Sequence, residues 1–192
     1  MIDKSEGSIE IDGVDVDEVP LGRLRSSLTI IPQDPFLFHG TLRQNLDPAN
    51  QYSDSDISKA IELSQLSNFV VHLSNGLDYM IDEFGSNISS GEKQLICLAR
   101  ALLKHTKILI LDEATSNIDL KTDSIIQETI SREFSDCTVI TVAHRIETIL
   151  NYQKILVLDN GSVAEFDTPQ NLLSRGDSLF ASMVSHATNS RT

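Results

Sequence analysis

Two acidic residues follow directly after a run of four apolar residues near the middle of the chain. Residues 108–111 are all apolar, and Asp112 and Glu113 come next. Such a run predicts a buried strand, and in open α/β sheets ligands bind outside the carboxyl ends of the strands. An aspartate there can hold Mg²⁺ together with phosphate oxygens, and the adjacent glutamate can orient or deprotonate a water. Taken by itself, the pattern is also typical of a strand that ends in a polar turn.

A histidine and a glutamine occupy corresponding positions after two other predicted strands. His144 comes just after residues 138–142, and Gln33 follows the short strand predicted at residues 28–32. Because parallel strands end at one edge of a sheet, both side chains are expected near Asp112. Gln33 can point its amide toward the same metal and water. The other histidines lack such a position and are predicted to be incidental surface or packing residues: His39, His72, His105 and His186.

A stretch of small and polar residues precedes the most strongly periodic helix of the sequence. It contains Ser89, Ser90, Gly91 and Glu92, and the helix is predicted over residues 92–103. Small residues at a helix N-terminus expose backbone N–H groups at the positive end of the helix dipole, which suits a phosphate. The alternative is an ordinary serine cap, and the segment taken alone favours that interpretation.

The elements that must position these residues alternate along the chain. The pattern predicts strands at 8–13 (ending in an Asp-Gly turn), 28–32, 108–111 and 138–142, and a hairpin at 154–167 that turns at Asn160-Gly161. It predicts helices at 53–66 (with a capping box of Ser53 and Asp56), 69–73 and 92–103, a helix capped by Asp119, and a helical tail from Thr168-Pro169. This alternation predicts an α/β domain with a mostly parallel sheet, in which strand 108–111 is buried on both faces.

Composition and charge exclude several classes of protein. The 192 residues are 40% hydrophobic and 22% charged, which is typical of a soluble globular domain. The apolar runs are too short for a membrane span, and the N-terminus does not resemble a signal peptide. A net charge of −13 argues against nucleic-acid binding. Cys97 and Cys137 are predicted to be core thiols in a reducing compartment, although their spacing leaves a disulfide open.

Taken together, these segments resemble the motifs of ATP-binding-cassette proteins. Gln33 resembles the Q-loop, residues 88–94 the signature motif, 108–113 the Walker B motif, 116–119 the D-loop, and His144 the switch histidine. Their joint order and spacing remove most of the chance matches that single motifs carry. More narrowly, residues 31–48 are similar to the second nucleotide-binding domain of the multidrug-resistance-associated exporters of subfamily C.

The resemblance implies a P-loop NTPase-type fold. All of residues 1–192 would be part of one nucleotide-binding domain, with a helical subdomain inserted at 34–84 and a C-terminal helical tail at 166–192. By the same resemblance, Asp112 and Gln33 would bind Mg²⁺, and Glu113, His144 and Gln33 would be the catalytic residues. Glu113 would polarise the hydrolytic water and His144 would contact the γ-phosphate of ATP. Gln33 would also link the metal site to the membrane-facing helices.

Domains of the family work as head-to-tail pairs on transporter transmembrane domains, at the cytoplasmic face of a membrane. The resemblance therefore implies two partners, another nucleotide-binding domain and the transmembrane domains, with the chain itself cytoplasmic. Ser89, Ser90, Gly91 and Glu92 would contact ATP held by the partner domain, and Asp119 would pack across the interface. The intact family protein would hydrolyse Mg·ATP to export organic anions, conjugates or drugs.

The sequence departs from the family pattern in two ways. The usual signature is Leu-Ser-Gly-Gly-Gln, whereas Ser90 and Glu92 occupy its third and fifth positions here. A carboxylate near a γ-phosphate is repulsive, so this signature is expected to serve the partner's nucleotide poorly. The sequence also contains no G-x-x-x-x-G-K-[ST] segment, the Walker A loop that grips the phosphates. In the family, that strand, loop and helix precede the point where this chain begins, so the chain by itself is expected to be a poor ATPase.

Two other functions stay open. One is a truncated, non-catalytic protein that pairs with an intact nucleotide-binding domain or has no activity. The other is a soluble cassette ATPase of translation or DNA repair. Residues 33–48 and the lack of a second cassette in the sequence argue against this alternative. Without the Walker A strand and helix, the domain is expected to expose apolar surface and unpaired strand edges.

Overall fold

The computed structural model describes residues 6–112, 118–143 and 146–189. Their strands are β1 (Glu10–Ile11), β2 (Val14–Asp15), β3 (Leu28–Ile31), β4 (Gly40–Thr41), β5 (Met80–Ile81), β6 (Ile108–Asp112), β7 (Thr138–Val142), β8 (Ile155–Asp159) and β9 (Ser162–Asp167). Their α-helices are α1 (Leu21–Ser27), α2 (Leu42–Leu46), α3 (Asp54–Leu63), α4 (Ser67–His72), α5 (Ser90–Lys104), α6 (Leu120–Glu133), α7 (Ile146–Ile149), α8 (Pro169–Ser174) and α9 (Leu179–Asn189). Short 3₁₀ helices lie at Val16–Glu18, Gly76–Asp78 and Glu83–Gly85.

The central sheet has the strand order β3-β6-β7. Strand β3 runs parallel to β6, with Leu28 beside Ile108 and Ile31 beside Leu111. A parallel pair needs a long crossover, and here α2 to α5 supply it. Helices alternating with parallel strands confirm the predicted α/β class.

The two faces of this sheet are not equally covered. Leu109 and Leu111 are buried on one face, against the core that includes α5. The predicted burial of this strand on both faces is incomplete among the described residues, because Ile108 and Ile110 are only partly buried, in line with the expected exposure of apolar surface. Their face borders an open cavity of about 1380 Å³, and its rim includes Ile140, which is 52% exposed. Of the two apolar faces of β6, one is therefore covered only incompletely by the described residues.

Helix α5 is the longest of the described helices and forms the centre of the larger core. The predicted inward side chains are buried, as are most of their neighbours along the helix: Leu95, Leu98, Ala99 and Leu102. The helix begins at Ser90, two residues before the predicted start, because Ser89 acts as the N-cap. It ends where His105 adopts a left-handed backbone with φ 49°.

The helical segment between β3 and α5 is held by local caps. Ser53 and Asp56 form the predicted capping box at the start of α3. This helix ends at Leu63 rather than at the predicted residue 66, because Gln65 adopts a left-handed backbone with φ 62°. Leu66 is fully buried and instead precedes α4.

Both predicted hairpin turns are confirmed. Strands β1 and β2 are antiparallel and turn at Asp12-Gly13, while β8 and β9 turn at Asn160-Gly161. All four turn residues have positive φ, between 48° and 79°. This is the geometry of the tight turns that suit the twist of a hairpin.

The chain divides into two compact units, one up to Ile140 and one from Thr141 onward. In the second unit, a separate small core forms around Ile155, Val157, Leu172 and Phe180. Thr168 caps α8 and Pro169 is its first residue, as predicted. No helix among the described residues combines the length and apolar character needed to cross a bilayer.

The two cysteines lie in the first unit. Cys97 is buried and Cys137 is partly buried, and both are free thiols, as predicted. Burial raises the pKa of the Cys97 thiol, while the neighbouring Arg100 opposes that shift.

Candidate functional site

Gln33 and Asp112 lie at the same edge of the central sheet. Ile31 pairs with Leu111 at the end of the β3–β6 ladder, so both strands end side by side. Asp112 is the exposed last residue of β6, and Gln33 is exposed two residues beyond β3. The predicted positions of these two residues therefore agree with the structure. Glu113 and His144 lie outside the described residues.

The N-terminus of α5 is closed by a capping box, in which Ser89 is the serine cap that the sequence favours and Glu92 is a partner that it did not indicate. The Glu92 carboxylate accepts hydrogen bonds from the backbone N–H and the hydroxyl of Ser89, both at 2.7 Å. In return, the Glu92 N–H donates to the Ser89 hydroxyl oxygen at 3.3 Å. The Ser-x-x-Glu pattern could have predicted this box. The carboxylate therefore stabilises the positive end of its own helix.

Gly91, in the first turn of α5, packs against Thr122 in the first turn of α6. A Cβ atom at Gly91 would lie 3.3 Å from the Thr122 side chain, which is tighter than an ordinary contact. Asp119 is the N-cap of α6, as predicted, and accepts from the backbone N–H groups of Lys121 and Thr122 at 3.0 Å. The Thr122 hydroxyl donates to it at 2.7 Å, and this bond is the main reason that the pKa of Asp119 is lowered. The first turns of two helices thus meet at one point.

Gln94 links α5 to the loop that carries Gln33. Its side-chain Nε2 donates to the carbonyl oxygens of Pro32 and Gln33, at 3.1 and 2.9 Å. Gln94 is only 3% exposed. No sequence motif marks Gln94, although its position four residues before Leu98 places it on the inward face of the helix.

Arg100 makes a second link between α5 and the preceding segment. Its guanidinium donates to the Phe36 carbonyl at 2.7 Å, to the Asn45 side-chain oxygen at 3.1 Å, and to the Asn45 carbonyl. Burial lowers the pKa of Arg100. Asn45 is fully buried and also bonds to Phe38 in both directions. No local sequence signal pairs residues 55 positions apart, so the sequence analysis missed this cluster.

A cleft of about 400 Å³ lies between these elements. It is lined by Gln33, Gln94 and Ser90, and by two exposed aromatic rings, Phe36 and Phe84. The two rings meet edge to face, with centroids 6.3 Å apart. The cleft therefore joins the Gln33 loop, the start of α5 and an exposed aromatic pair.

Comparison with known proteins decides the family. The model of the ABC transporter family matches residues 1–116, which is more than half of the chain. This chain belongs to the ABC transporter family. It is 54% identical over 187 residues to multidrug resistance protein mrp-7 of Caenorhabditis elegans, and equally to ATP-binding cassette sub-family C member 3 of Rattus norvegicus. It is 52% identical over 188 residues to metal resistance protein YCF1 of Saccharomyces cerevisiae.

These ABC transporter relatives are much longer than the chain. Each of the three matches covers 97% of this chain but only 12% of the relative. A bacterial Atm1-family ABC exporter with ATP bound has the same fold, with a TM-score of 0.91 and 37% identity. That match covers 97% of this chain and 33% of the exporter chain. The P-loop NTPase-type fold and the similarity to subfamily C, both expected from the motifs, are therefore confirmed.

ABC domains bind ATP with Mg²⁺, and ABC exporters pair such domains with transmembrane domains. Among the described residues, no group of three or more His, Cys, Asp or Glu side chains could hold a metal ion. Magnesium needs only one or two carboxylates when phosphate oxygens and waters complete its shell. Among the described residues, Asp112 is an exposed carboxylate at the sheet edge where Gln33 also lies.

Proposed function

We propose that this chain supplies part of an ATP-hydrolysing site in a subfamily C exporter. In this proposal Ser89, Ser90, Gly91 and Glu92 face ATP bound by a second nucleotide-binding domain, and Asp119 packs at the same interface. The contact between Gly91 and Thr122 carries the proposal, because it joins the starts of α5 and α6 into one surface. Two helix N-termini that converge on one surface favour an anion.

At the chain's own sheet edge, the proposed roles follow the geometry of the strand ends. Asp112 and Gln33 would hold Mg²⁺, which supplies charge neutralisation for the phosphate oxygens when it is bound. Glu113, directly after Asp112, would orient the attacking water, and His144 would contact the γ-phosphate. The chain contains no phosphate-gripping G-x-x-x-x-G-K-[ST] loop, so we propose that it hydrolyses ATP only together with a segment that provides one.

Glu92 would weaken the interaction of this signature segment with ATP on the partner domain. Its carboxylate engages both the N–H and the hydroxyl of Ser89, so a γ-phosphate would have to compete for those donors. The negative charge would also repel the phosphate.

Residues 34–84 would dock on transporter transmembrane domains. The support for this is the exposed pair of Phe36 and Phe84, which are 61% and 62% exposed and lie beside Gln33 in the cleft. Exposed aromatic surface of this kind is typical of sites that receive an apolar segment of a partner. Such docking would place a moving partner next to the metal site. The substrate of the whole exporter would be an organic anion, a conjugate or a drug.

A second candidate is a non-catalytic protein that pairs with an intact nucleotide-binding domain. This second candidate would use the same signature surface. One experiment therefore tests the pairing surface that both candidates share, and a measurement of ATP turnover then distinguishes the two.

The experiment is ATP-dependent association with an intact subfamily C nucleotide-binding domain whose own catalytic glutamate is replaced by glutamine. We expect ATP to increase association of the wild-type chain, measured by analytical ultracentrifugation, and Gly91→Asp to abolish the increase. Gly22→Asp is the matched control, because Gly22 has open space around it and lies in α1. Association that ignores ATP, or that survives Gly91→Asp, would refute the proposed signature role.

A further inference from the structure

Gln94 is a buried polar residue of α5 that lines the same cleft as Gln33. Both of its described hydrogen bonds are long-range, to carbonyl oxygens 61 and 62 residues earlier in the chain. Its side-chain oxygen Oε1 is buried and makes no hydrogen bond among the described residues. The amide therefore acts as a donor to the loop at Gln33, while its acceptor is left unused.

This arrangement has a physical consequence for the loop. The last described pair of the β3–β6 ladder is Ile31 with Leu111, so the carbonyls of Pro32 and Gln33 lie beyond the sheet. A side-chain amide carries two N–H donors, and Gln94 offers them to these two successive carbonyls. Gln94 thereby holds the backbone of two residues beyond the end of the β3–β6 ladder, and it fixes the direction of the peptide that carries Gln33.

Packing alone does not explain this side chain. A buried acceptor without a partner is unfavourable, so an apolar side chain of similar volume would fill the position with less desolvation. What the amide adds is the pair of hydrogen bonds to the loop. The same helix presents Ser89 and Gly91 a few residues earlier, so a single element carries the signature segment and holds the Gln33 backbone.

We propose that Gln94 is a positioning residue for Gln33. It acts through the backbone, by holding Gln33 at the sheet edge where Asp112 ends β6. This inference rests on the proposed function of Gln33 at the metal site. Without Gln94, the fold and the signature surface should persist, while Gln33 loses its fixed position.

The first test uses Gln94→Met in the full chain, with Gln51→Met as the control. Methionine keeps the length of the side chain and removes both donors, while Gln51 is an exposed loop residue. NMR relaxation should show the backbone order parameters of Gln33 and Asp34 falling from about 0.85 to below about 0.6 in Gln94→Met. The control should not change them, and α5 should stay rigid in both variants. Unchanged order at Gln33, or a loss of order that spreads through α5, would overturn the inference.

Gln94→Glu provides a second, isosteric test that also serves if the methionine variant fails to fold. An ionised glutamate has no donor, whereas the protonated acid has one. Order at Gln33 should therefore increase as the pH falls in this variant and not in the wild type. Asp34 and Lys93 are the charged residues that line the same cleft, and the wild-type series controls for them. Identical pH profiles for variant and wild type would contradict a role for the donors.

The association experiment separates this inference from the proposed function. Gln94→Met leaves Ser89 and Gly91 in place, so ATP-dependent association should persist while Gln33 becomes mobile. If the wild-type chain shows no ATP-dependent association but Gln94→Met still loosens Gln33, the proposed function is wrong and the positioning by Gln94 is confirmed. If association persists and Gln33 stays ordered, the positioning role is wrong and the function stands.

Discussion

Replacing Glu92 with alanine should break the reciprocal cap at the start of α5. In the structure, one carboxylate oxygen accepts from both the N–H and the hydroxyl of Ser89 at 2.7 Å. Truncation leaves both donors to water, because Ser89 is exposed, and removes a negative charge from the positive end of the helix. We expect the free energy of unfolding to fall by about 1–2 kcal/mol, in the range for the loss of a helix cap.

Glu92→Gln separates the charge from the hydrogen bonds. A glutamine oxygen can still accept from Ser89, so only the interaction of the charge with the helix dipole is lost, about 0.3–1 kcal/mol. Urea denaturation of both variants measures the difference. The control is Glu128→Ala on the exposed face of α6, which should change the free energy of unfolding by less than about 0.5 kcal/mol. If glutamine destabilised the chain as much as alanine, the capping argument would be wrong.

The same two variants test the effect of Glu92 on a partner's nucleotide. Both lack the charge, so both should reach half-maximal association at a lower ATP concentration, by on the order of tenfold. Two unit charges about 4 Å apart interact with about 1 kcal/mol even in water, and more strongly in a closed interface. For Glu92→Ala, the free energy of unfolding and the ATP concentration for half-maximal association should therefore both fall. An unchanged ATP requirement would refute the repulsion.

Three further outcomes are expected. The purified chain should hydrolyse ATP negligibly, because its sequence contains no phosphate-gripping loop and removing even one donor to transition-state charge costs about a hundredfold in rate. A phosphate-release assay measures this. Turnover that Glu113→Gln abolishes would contradict the prediction. The pKa of Glu165 lies below its usual 4.5, chiefly because the Phe180 N–H donates to its carboxylate. The ionised Glu165 carboxylate therefore stabilises the fold above pH 4.5, and this stabilisation is lost as the pH falls through the lowered pKa. Circular dichroism should show α9 loosening in acid, and Glu165→Gln should flatten the dependence. The half-covered sheet face around Ile140 should make the isolated chain self-associate in size-exclusion chromatography, and a monomer with one sharp, reversible melting transition would argue against it.

The sequence determined the local structure of this protein to a large extent. The capping box of Ser53 and Asp56, the turn at Asn160-Gly161 and the cap at Asp119 were all predicted, because each depends on residues within a few positions of one another. The strand ends at Gln33 and Asp112 were also predicted to meet, since parallel strands share an edge. The order of the motifs along the chain was sufficient to indicate the family.

The tertiary structure decided how these segments are connected. The hydrogen bonds from Gln94 to the Gln33 loop and from Arg100 to Asn45 join residues more than 50 positions apart, and no periodic pattern encodes such a pairing. The contact of Gly91 with Thr122 likewise exists only once two helices have packed. The tertiary structure also decided how the sheet is covered. An apolar strand sequence shows which faces can be buried, but the neighbouring elements determine which faces actually are buried.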